Sequence, residues 1–175
     1  MNECVLRRAE ERDLATIARI NSTVFLGDRD RAEGAHEWVK SLFTSYPVYQ
    51  YFVVEEEGVV VGYAGWQMHG GFHRAEPVIE LDQIGIDPEH QGKQLAPQLT
   101  RFGMRELSAW VKKKDDRIES HIGFIVWVYA LNFNAISVYA KDFTDGVCGM
   151  RTQFGNRAEV MLRVRVPVIM PVRTV

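Results

Sequence analysis

The chain has 175 residues, of which 46% are hydrophobic and 25% charged, and its formal net charge is −2 at pH 7. These values favour one globular domain over residues 1–175 with one hydrophobic core, and they argue against disorder. Nucleic-acid-binding domains usually carry a basic excess, which this chain lacks, so we expect no nucleic-acid partner. Its two cysteines, Cys4 and Cys148, lie too far apart in sequence to build a disulfide framework or a zinc-binding spacing.

Two further absences in the sequence concern the membrane. The N-terminal residues lack the apolar run of a signal peptide, and no uninterrupted apolar stretch is long enough to span a bilayer. We therefore expect a cytoplasmic protein with no membrane partner.

The first part of the chain is predicted to form a strand followed by two helices. Cys4 to Arg8 is the strand, and Asp13 is expected to cap the first helix, because its carboxylate can accept hydrogen bonds from free backbone N–H groups. A second helix is predicted from about Ala35 to Phe43, with Pro47 ending the segment. Apolar side chains at helical spacing mark the first helix: Leu14, Ile17, Ala18, Ile20 and Phe25.

A hairpin and a third strand are predicted in the middle of the chain. The strands Tyr49 to Glu55 and Val59 to His69 flank a turn at 56–58, Glu-Glu-Gly, and the three glutamates at 55–57 are expected to be solvated. Val78 to Ile86 is the next strand, and Asp87-Pro88 ends it.

The last part of the chain is predicted to alternate helices and strands. A long helix from about Gly92 to Lys114 precedes a strand from Ile122 to Ala130, and a short helix spans Asn132 to Lys141. Val147 to Thr152 and Ala158 to Val166 are the final strands. The resulting order, β-α-α-β-β-β-α-β-α-β-β, predicts a mixed sheet with helices packed on it.

The joint between the strand ending at Ile86 and the long helix is a candidate anion site. The first N–H groups of a helix have no internal partner and lie at the positive end of its dipole. A phosphate placed there accepts their hydrogen bonds and is attracted by the dipole. Gly92 lets a ligand approach the backbone, and Lys93 offers a charge-assisted contact. Many strand-turn-helix joints look alike, so these features by themselves leave a purely structural joint equally open.

The order of residues in this joint resembles the coenzyme A loop of the GNAT superfamily of N-acetyltransferases. That pattern is Gln or Arg, two residues, Gly, one residue, then Gly or Ala. Gln91 and Ala96 match its two ends, and Gln94 stands at the central glycine. A glutamine there keeps its N–H group but adds a side chain, whereas a glycine leaves the backbone bare.

A second segment is similar to another motif of the same family, Asn, two residues, Ala, three residues, Tyr. Asn132 and Tyr139 stand at its ends. The resemblance implies that Asn132 helps to hold the pantetheine arm and that Tyr139 lies near the coenzyme A sulfur. On residue type alone, Asn132 would be a helix N-cap and Tyr139 a core aromatic.

The resemblance also implies the fold and the cofactor. We expect a GNAT-like α/β fold, in which a mixed, mostly antiparallel, twisted sheet of about seven strands is flanked by about four helices. One N-acetyltransferase domain would occupy 1–175, with its core at about 4–166, and would use acetyl-CoA or another acyl-CoA without a metal. The implied cofactor-binding positions are Ile84, Gly85, Ile86, Gln91, Gly92, Lys93, Gln94, Leu95, Ala96, Pro97, Asn132 and Asn134.

Acyl transfer to an amine needs a base, because an alkyl ammonium with a pKa of about 10.4 has no lone pair. The resemblance implies Glu80 as that base, with Asp82 as an alternative two residues further along the strand. A backbone N–H near Ile84 or Gly85 would meet the oxyanion. Tyr139 would protonate the departing thiolate. Either carboxylate can also be read as a surface salt-bridge partner.

The resulting prediction is an enzyme that transfers acetyl from acetyl-CoA directly to a primary amine of a small molecule or peptide. The alternatives are a non-catalytic acyl-CoA-binding module of the same fold, and a nucleotide-binding protein that uses the same helix terminus. Acceptor contacts are expected from the segment 25–31 or from Trp66, Phe72 and His73. A metal at His69 and His73 is not expected, since the Gly-Gly between them indicates a loop. A homodimer through the late strands is an open possibility.

Overall fold

The structure is a computed structural model that describes residues 4–26, 32–70, 76–114, 121–153 and 157–167. Within these ranges the strands and helices follow one another in the predicted order. The strands are β1 (Cys4–Arg8), β2 (Tyr49–Glu56), β3 (Val59–His69), β4 (Val78–Ile86), β5 (His121–Tyr129), β6 (Gly146–Gln153) and β7 (Arg157–Pro167). The helices are α1 (Leu14–Asn21), α2 (Ala32–Thr44), α3 (Leu95–Lys114) and α4 (Phe133–Tyr139).

The strands form one seven-stranded sheet in the order β1-β2-β3-β4-β5-β7-β6. The pairs β1–β2, β2–β3, β5–β7 and β6–β7 are antiparallel. The predicted GNAT-like fold class, a mostly antiparallel sheet of seven strands with four helices, is therefore confirmed.

Backbone contacts divide the chain into two compact units, and each is described by itself. The first comprises Met1–Met68 with Leu81–Gly103, and the second comprises His69–Glu80 with Met104–Val175. A single domain over 1–175 stays a prediction. None of the described helices combines the length and the apolar character that a membrane span requires.

In the first unit, α1 supplies much of the apolar core. The predicted helical face is confirmed for its four members within α1, Leu14, Ile17, Ala18 and Ile20, which are all buried. Phe25 is not part of that face, because it lies in a π-helical turn, Ser22–Leu26, and is 54% exposed. Tyr51 and Tyr63 complete the core from β2 and β3, with their ring centroids 6.0 Å apart.

Asp13 does not cap α1, so that prediction is wrong. Its carboxylate instead accepts two hydrogen bonds from the Arg7 guanidinium, at 2.7 and 2.9 Å, and one from the backbone N–H of Glu10 at 2.7 Å. A bidentate, charge-assisted pair is stronger than a cap bond. Burial alone would raise the pKa of Asp13, but Arg7 and the Glu10 N–H hold it below its ordinary value.

The β2–β3 turn is tighter than predicted and its glutamates are not all solvated. Glu57 and Gly58 form the turn, with φ of 53° and 80°, the left-handed conformations that tight hairpins require. Glu56 belongs to β2, and its carboxylate is paired, as is that of Glu55, which accepts a hydrogen bond from Arg7 Nε at 3.1 Å. The expectation of free solvation is wrong for both, because their partners come from distant segments.

In the second unit, β5 presents alternate apolar side chains to the core. Ile122, Phe124, Val126 and Val128 are buried, and β5 pairs with β7 along its whole length. Phe143, just beyond α4, is also fully buried. Each strand boundary lies within one residue of its predicted position, because the two-residue alternation and the flanking turn residues mark the ends clearly.

Candidate active site

In the first unit, β4 ends at Ile86 and a short 3₁₀ turn, Pro88–His90, follows. Asp87 begins this turn by accepting a hydrogen bond from the Glu89 N–H at 3.3 Å, and it pairs with Arg19 at 2.8 Å. Burial alone would raise the pKa of Asp87, but Arg19 and the Glu89 N–H hold it below its ordinary value. The exit of β4 is therefore fixed to α1 by a charged pair.

The loop after this turn contains two left-handed residues. Gly92 has φ of 81° and Gln94 has φ of 61°. A helix cannot run through such residues, so α3 begins at Leu95, and the prediction of a start near Gly92 is wrong by one turn. Gly92 adopts this conformation freely, whereas Gln94 does so at a cost of about 1 kcal/mol.

This loop presents a set of backbone donors. Within the described chain no carbonyl accepts a hydrogen bond from the N–H groups of residues 92–96. The Gln98 N–H, by contrast, donates to the Gln94 carbonyl at 3.3 Å, and the Gln91 side chain donates to the Ile86 carbonyl at 3.1 Å. Pro97 has no N–H group to offer. The loop is thus anchored at its first residue and leaves donors for an anion at the start of α3.

Lys93, which we expect to contact a phosphate at this loop, already pairs with a carboxylate of the protein. Lys93 Nζ lies 2.7 Å from Glu56 Oε2, and His90 Nδ1 lies 2.6 Å from the same oxygen. Lys93, and then His90, lower the pKa of Glu56 below its ordinary value. A contact between Lys93 and a phosphate stays a prediction, and it would require the ammonium to leave or to share this carboxylate.

The end of β4 is packed too tightly for any side chain at Gly85. A Cβ there would lie 2.8 Å from the Tyr63 ring and 3.2 Å from Ile20. The Tyr63 hydroxyl is held in turn by the Asn21 side-chain amide at 2.7 Å. Glycine is therefore required sterically at this position, beside Ile84 and Ile86. An oxyanion contact from their backbone stays a prediction.

Asp82 is exposed on β4, and one of its oxygens is taken. The Tyr49 hydroxyl donates to Asp82 Oδ2 at 2.7 Å. Burial, then the neighbouring Tyr51, then Asp82 itself raise the pKa of Tyr49 far above its ordinary value, so Tyr49 stays a donor. Asp82 is the alternative base of the sequence analysis, and the bond from Tyr49 occupies one of its two oxygens.

In the second unit, Glu80 has a partner that the sequence analysis did not assign. His69 Nε2 lies 2.6 Å from Glu80 Oε2, and the Glu80 side chain is 11% exposed against 38% for His69. His69 was considered only as a metal ligand. A signal for the pair was present, because β3 and β4 follow one another along the chain, and strands consecutive in sequence are usually neighbours in a sheet, as these two are.

Asn132 acts as the N-cap of α4, which begins one residue later than predicted. Its side-chain oxygen accepts a hydrogen bond from the Ala135 N–H at 3.1 Å. Asn134 is exposed, and its backbone carbonyl accepts a hydrogen bond from the Ser137 hydroxyl at 2.8 Å. Both amides are therefore at the surface of the second unit, where the cap leaves the Asn132 side-chain NH₂ outside the helix.

Tyr139 is the last residue of α4 and is half-buried. Its ring meets Phe143 edge to face, with centroids 6.0 Å apart and planes at 89°. Burial raises the pKa of Tyr139 to about 12. At neutral pH the phenol carries its proton, as a tyrosine of the ordinary pKa of about 10 also would.

The predicted site residues fall in both units. The 91–96 loop, the end of β4 and Asp82 belong to the first, and Glu80, His69, Asn132 and Tyr139 belong to the second. Trp66, expected to contact an acceptor, is 1% exposed and packs against Gly103, so it is a core residue. The other acceptor candidates, at 27–31, Phe72 and His73, lie outside the described residues. No group of three or more metal-ligating side chains occurs among the residues that are described.

Comparison with known proteins places this architecture in a family. The model of the acetyltransferase (GNAT) family matches residues 14–143, more than half of the chain, and the protein belongs to that family. No curated protein sequence gives a significant match.

Solved structures of low sequence identity share the fold. The ribosomal-protein-S18-alanine N-acetyltransferase from Escherichia coli is 17% identical, with TM-score 0.63, and the match covers 99% of both chains. The protein yncA from Salmonella typhimurium, solved with its cofactor acetyl-CoA, is 20% identical with TM-score 0.63, covering 99% of this chain and 98% of that one. Aminoglycoside N-acetyltransferase AAC(6')-Iy, solved with CoA, is 17% identical with TM-score 0.62, covering 81% and 87%.

Proposed function

We propose that this protein transfers an acetyl group from acetyl-CoA directly to a primary amine of a small molecule or peptide. The observation that carries the proposal is the 91–96 loop, where the left-handed Gly92 and Gln94 precede a helix whose first N–H groups have no acceptor in the described chain. Five donors at the positive end of a long helix suit the pyrophosphate of coenzyme A. Family membership supplies the chemistry that this cofactor would serve.

Side chains on β3, β4 and α4 would supply the proton transfers. The incoming amine must lose a proton, and Glu80 together with its partner His69 is the candidate acceptor, with Asp82 as the alternative. Tyr139, which is protonated at neutral pH, would give its proton to the departing thiolate. The Asn132 side chain, already a helix cap, would support the pantetheine arm through its NH₂ group. A backbone N–H near Ile84 or Gly85 would meet the oxyanion.

The proposal of an amine acceptor rests on membership of the family and on two structural neighbours, and not on the shape of a pocket. Those neighbours are named for a ribosomal-protein alanine and for an aminoglycoside, and both names specify N-acetylation. They support an amine acceptor in general and do not select one. Cys148 is exposed at the start of β6, and a covalent acyl-enzyme is not part of the proposal. A cytoplasmic location, a homodimer and the absence of a metal remain predictions.

Two measurements test the proposal in sequence. Isothermal calorimetry should show binding of acetyl-CoA and of CoA but no comparable binding of ATP, since ATP lacks the pantetheine arm. Free-thiol release should then follow when acetyl-CoA is mixed with a panel of amines that includes polyamines, aminoglycosides, amino acids and peptides. Binding without thiol release for any amine would favour the non-catalytic acyl-CoA-binding module. Equal binding of ATP would favour a nucleotide-binding protein.

A further inference from the structure

We infer that the imidazole of His69, oriented by Glu80, takes the proton from the acceptor amine. The inference rests on the proposed function and assigns one of its steps to a residue that the sequence motifs do not contain. The observation behind it is the contact between His69 Nε2 and Glu80 Oε2 at 2.6 Å.

The geometry selects the tautomer of the imidazole. An ionised carboxylate only accepts hydrogen bonds, so in the neutral imidazole Nε2 carries the hydrogen of this contact and Nδ1 is left with the lone pair. In an oriented catalytic histidine, one imidazole nitrogen usually acts as the base while a carboxylate holds the other nitrogen. Among the described residues, Glu80 is the titratable group in hydrogen-bond contact with His69.

Exposure assigns the two roles within the pair. Glu80 lies inside β4 with 11% of its side chain exposed, whereas His69 ends β3 with 38% exposed. The group that an amine can reach from solvent is therefore the imidazole, and the carboxylate lies behind it. Glu80 becomes a positioning residue, which also stabilises the imidazolium once the proton has moved.

The proton balance of the reaction can be written with these residues. One proton of the substrate ammonium goes to Nδ1, and the freed nitrogen lone pair attacks the thioester carbon. As the tetrahedral intermediate collapses, the C–S bond breaks and the thiolate takes the Tyr139 proton. A second proton from the substrate nitrogen returns to the Tyr139 oxygen. The imidazolium then releases its proton to solvent, which leaves the amide, free CoA and neutral His69.

Paired substitutions separate this role from a purely structural tie between the two strands. His69→Gln keeps an N–H donor that can reach Glu80 but has no basic nitrogen. Glu80→Gln keeps an oxygen that can accept from Nε2 but removes the charge. His121→Gln makes the same chemical change at an exposed histidine at the start of β5 and serves as the matched control.

The expected result for His69→Gln is a fall in kcat of about a hundredfold, with the Kd of acetyl-CoA unchanged and the acid limb of the kcat/KM profile lost. Glu80→Gln should lower kcat by only about tenfold and keep that limb, because the base is still present. His121→Gln should match the wild type. Retention of kcat within twofold in His69→Gln overturns the inference, as does a larger loss in Glu80→Gln than in His69→Gln.

A measurement on the unmodified protein tests the tautomer without any substitution. Long-range ¹H–¹⁵N NMR spectra of the wild type should show His69 protonated at Nε2, and protonation at Nδ1 alone overturns the inference. Failure of the proposed function looks different, because the wild type would then bind acetyl-CoA and release no thiol with any amine.

Discussion

The Lys93 ammonium lies 2.7 Å from Glu56 Oε2, so the cation of the proposed pyrophosphate loop is tied to the last residue of β2. His90 Nδ1 lies 2.6 Å from the same oxygen. The Glu56 carboxylate thus engages His90 and Lys93, the residues on either side of Gln91 and Gly92. An anion bound at the loop has to compete with this carboxylate.

We expect Glu56→Gln to tighten acetyl-CoA binding by about threefold. The change removes a negative charge next to the loop and frees Lys93 for the phosphates, and surface pairs of this kind are weak. Calorimetry at 50 mM and 500 mM salt should show the gain shrinking as salt rises. Glu57→Gln, one residue away in the exposed turn, should have no effect. Weaker binding in Glu56→Gln would mean that this carboxylate chiefly holds the loop in shape.

Gln94→Gly is expected to raise the free energy of unfolding by about 1 kcal/mol. The left-handed φ of 61° strains a glutamine and not a glycine. Urea titration measures the change, and Gln94→Ala is the control, because it removes the side chain and keeps the strain. Acetyl-CoA should bind more tightly to the glycine variant than to the alanine variant. A glycine variant less stable than the wild type would contradict the argument.

Tyr139→Phe should lower kcat for thiol release by about a hundredfold and leave the Kd of acetyl-CoA nearly unchanged. The control is Tyr129→Phe, at the exposed end of β5. Unchanged turnover in Tyr139→Phe would remove this phenol from the mechanism.

The alkaline titration of Tyr139 is a separate prediction. Its pKa of about 12 in the folded protein exceeds the ordinary value of about 10, because burial disfavours the phenolate. The folded state therefore holds a proton that the unfolded chain loses, and stability falls as the pH rises from 10 to 12. The difference in stability between wild type and Tyr139→Phe should follow this fall, and a difference constant over that range would refute it.

Asp13→Asn should destabilise the protein by about 2 kcal/mol at pH 7, because Arg7 then loses its bidentate carboxylate partner and keeps its pair with Glu55. The pKa of Asp13 is lowered in the folded state, so its contribution is present above the ordinary aspartate pKa of about 3.9. That contribution is lost as the pH falls through the lower folded pKa. Denaturant titrations at pH 7 and pH 3 should show the difference shrinking. Glu10→Gln, which removes the charge of an exposed pair with Arg12 and keeps a side-chain oxygen for the Asp13 backbone N–H, should cost far less.

Gly85→Ala should cost about 2 kcal/mol, because the new Cβ meets the Tyr63 ring at 2.8 Å in a packed region. Gly34→Ala is the matched control, since a Cβ at this position in α2 meets nothing within 4 Å and a helix favours alanine. Thermal unfolding should show the two changes moving Tm in opposite directions. Equal stability of the two variants would contradict the prediction, because it would show that β4 shifts to accommodate the new Cβ at position 85.

The order of strands and helices followed from the sequence alone because each depends on residues close together in the chain. The two-residue alternation of Ile122, Phe124 and Val126 and the helical spacing of Leu14, Ile17 and Ala18 record which face is buried. The Asn132 cap was also predictable, since it is a local feature of a helix start.

Only the tertiary structure decided where the charged side chains go. Asp13 binds Arg7 and does not cap the start of α1. Lys93 binds Glu56, which is 37 residues away in sequence, and Glu80 binds His69. The physical reason is that an ion pair depends on distance in space and carries no periodic signature in the chain. The left-handed turn at Gln94, which delays α3 to Leu95, was hidden for a related reason, because the surrounding structure holds a glutamine in a conformation that its own preferences disfavour.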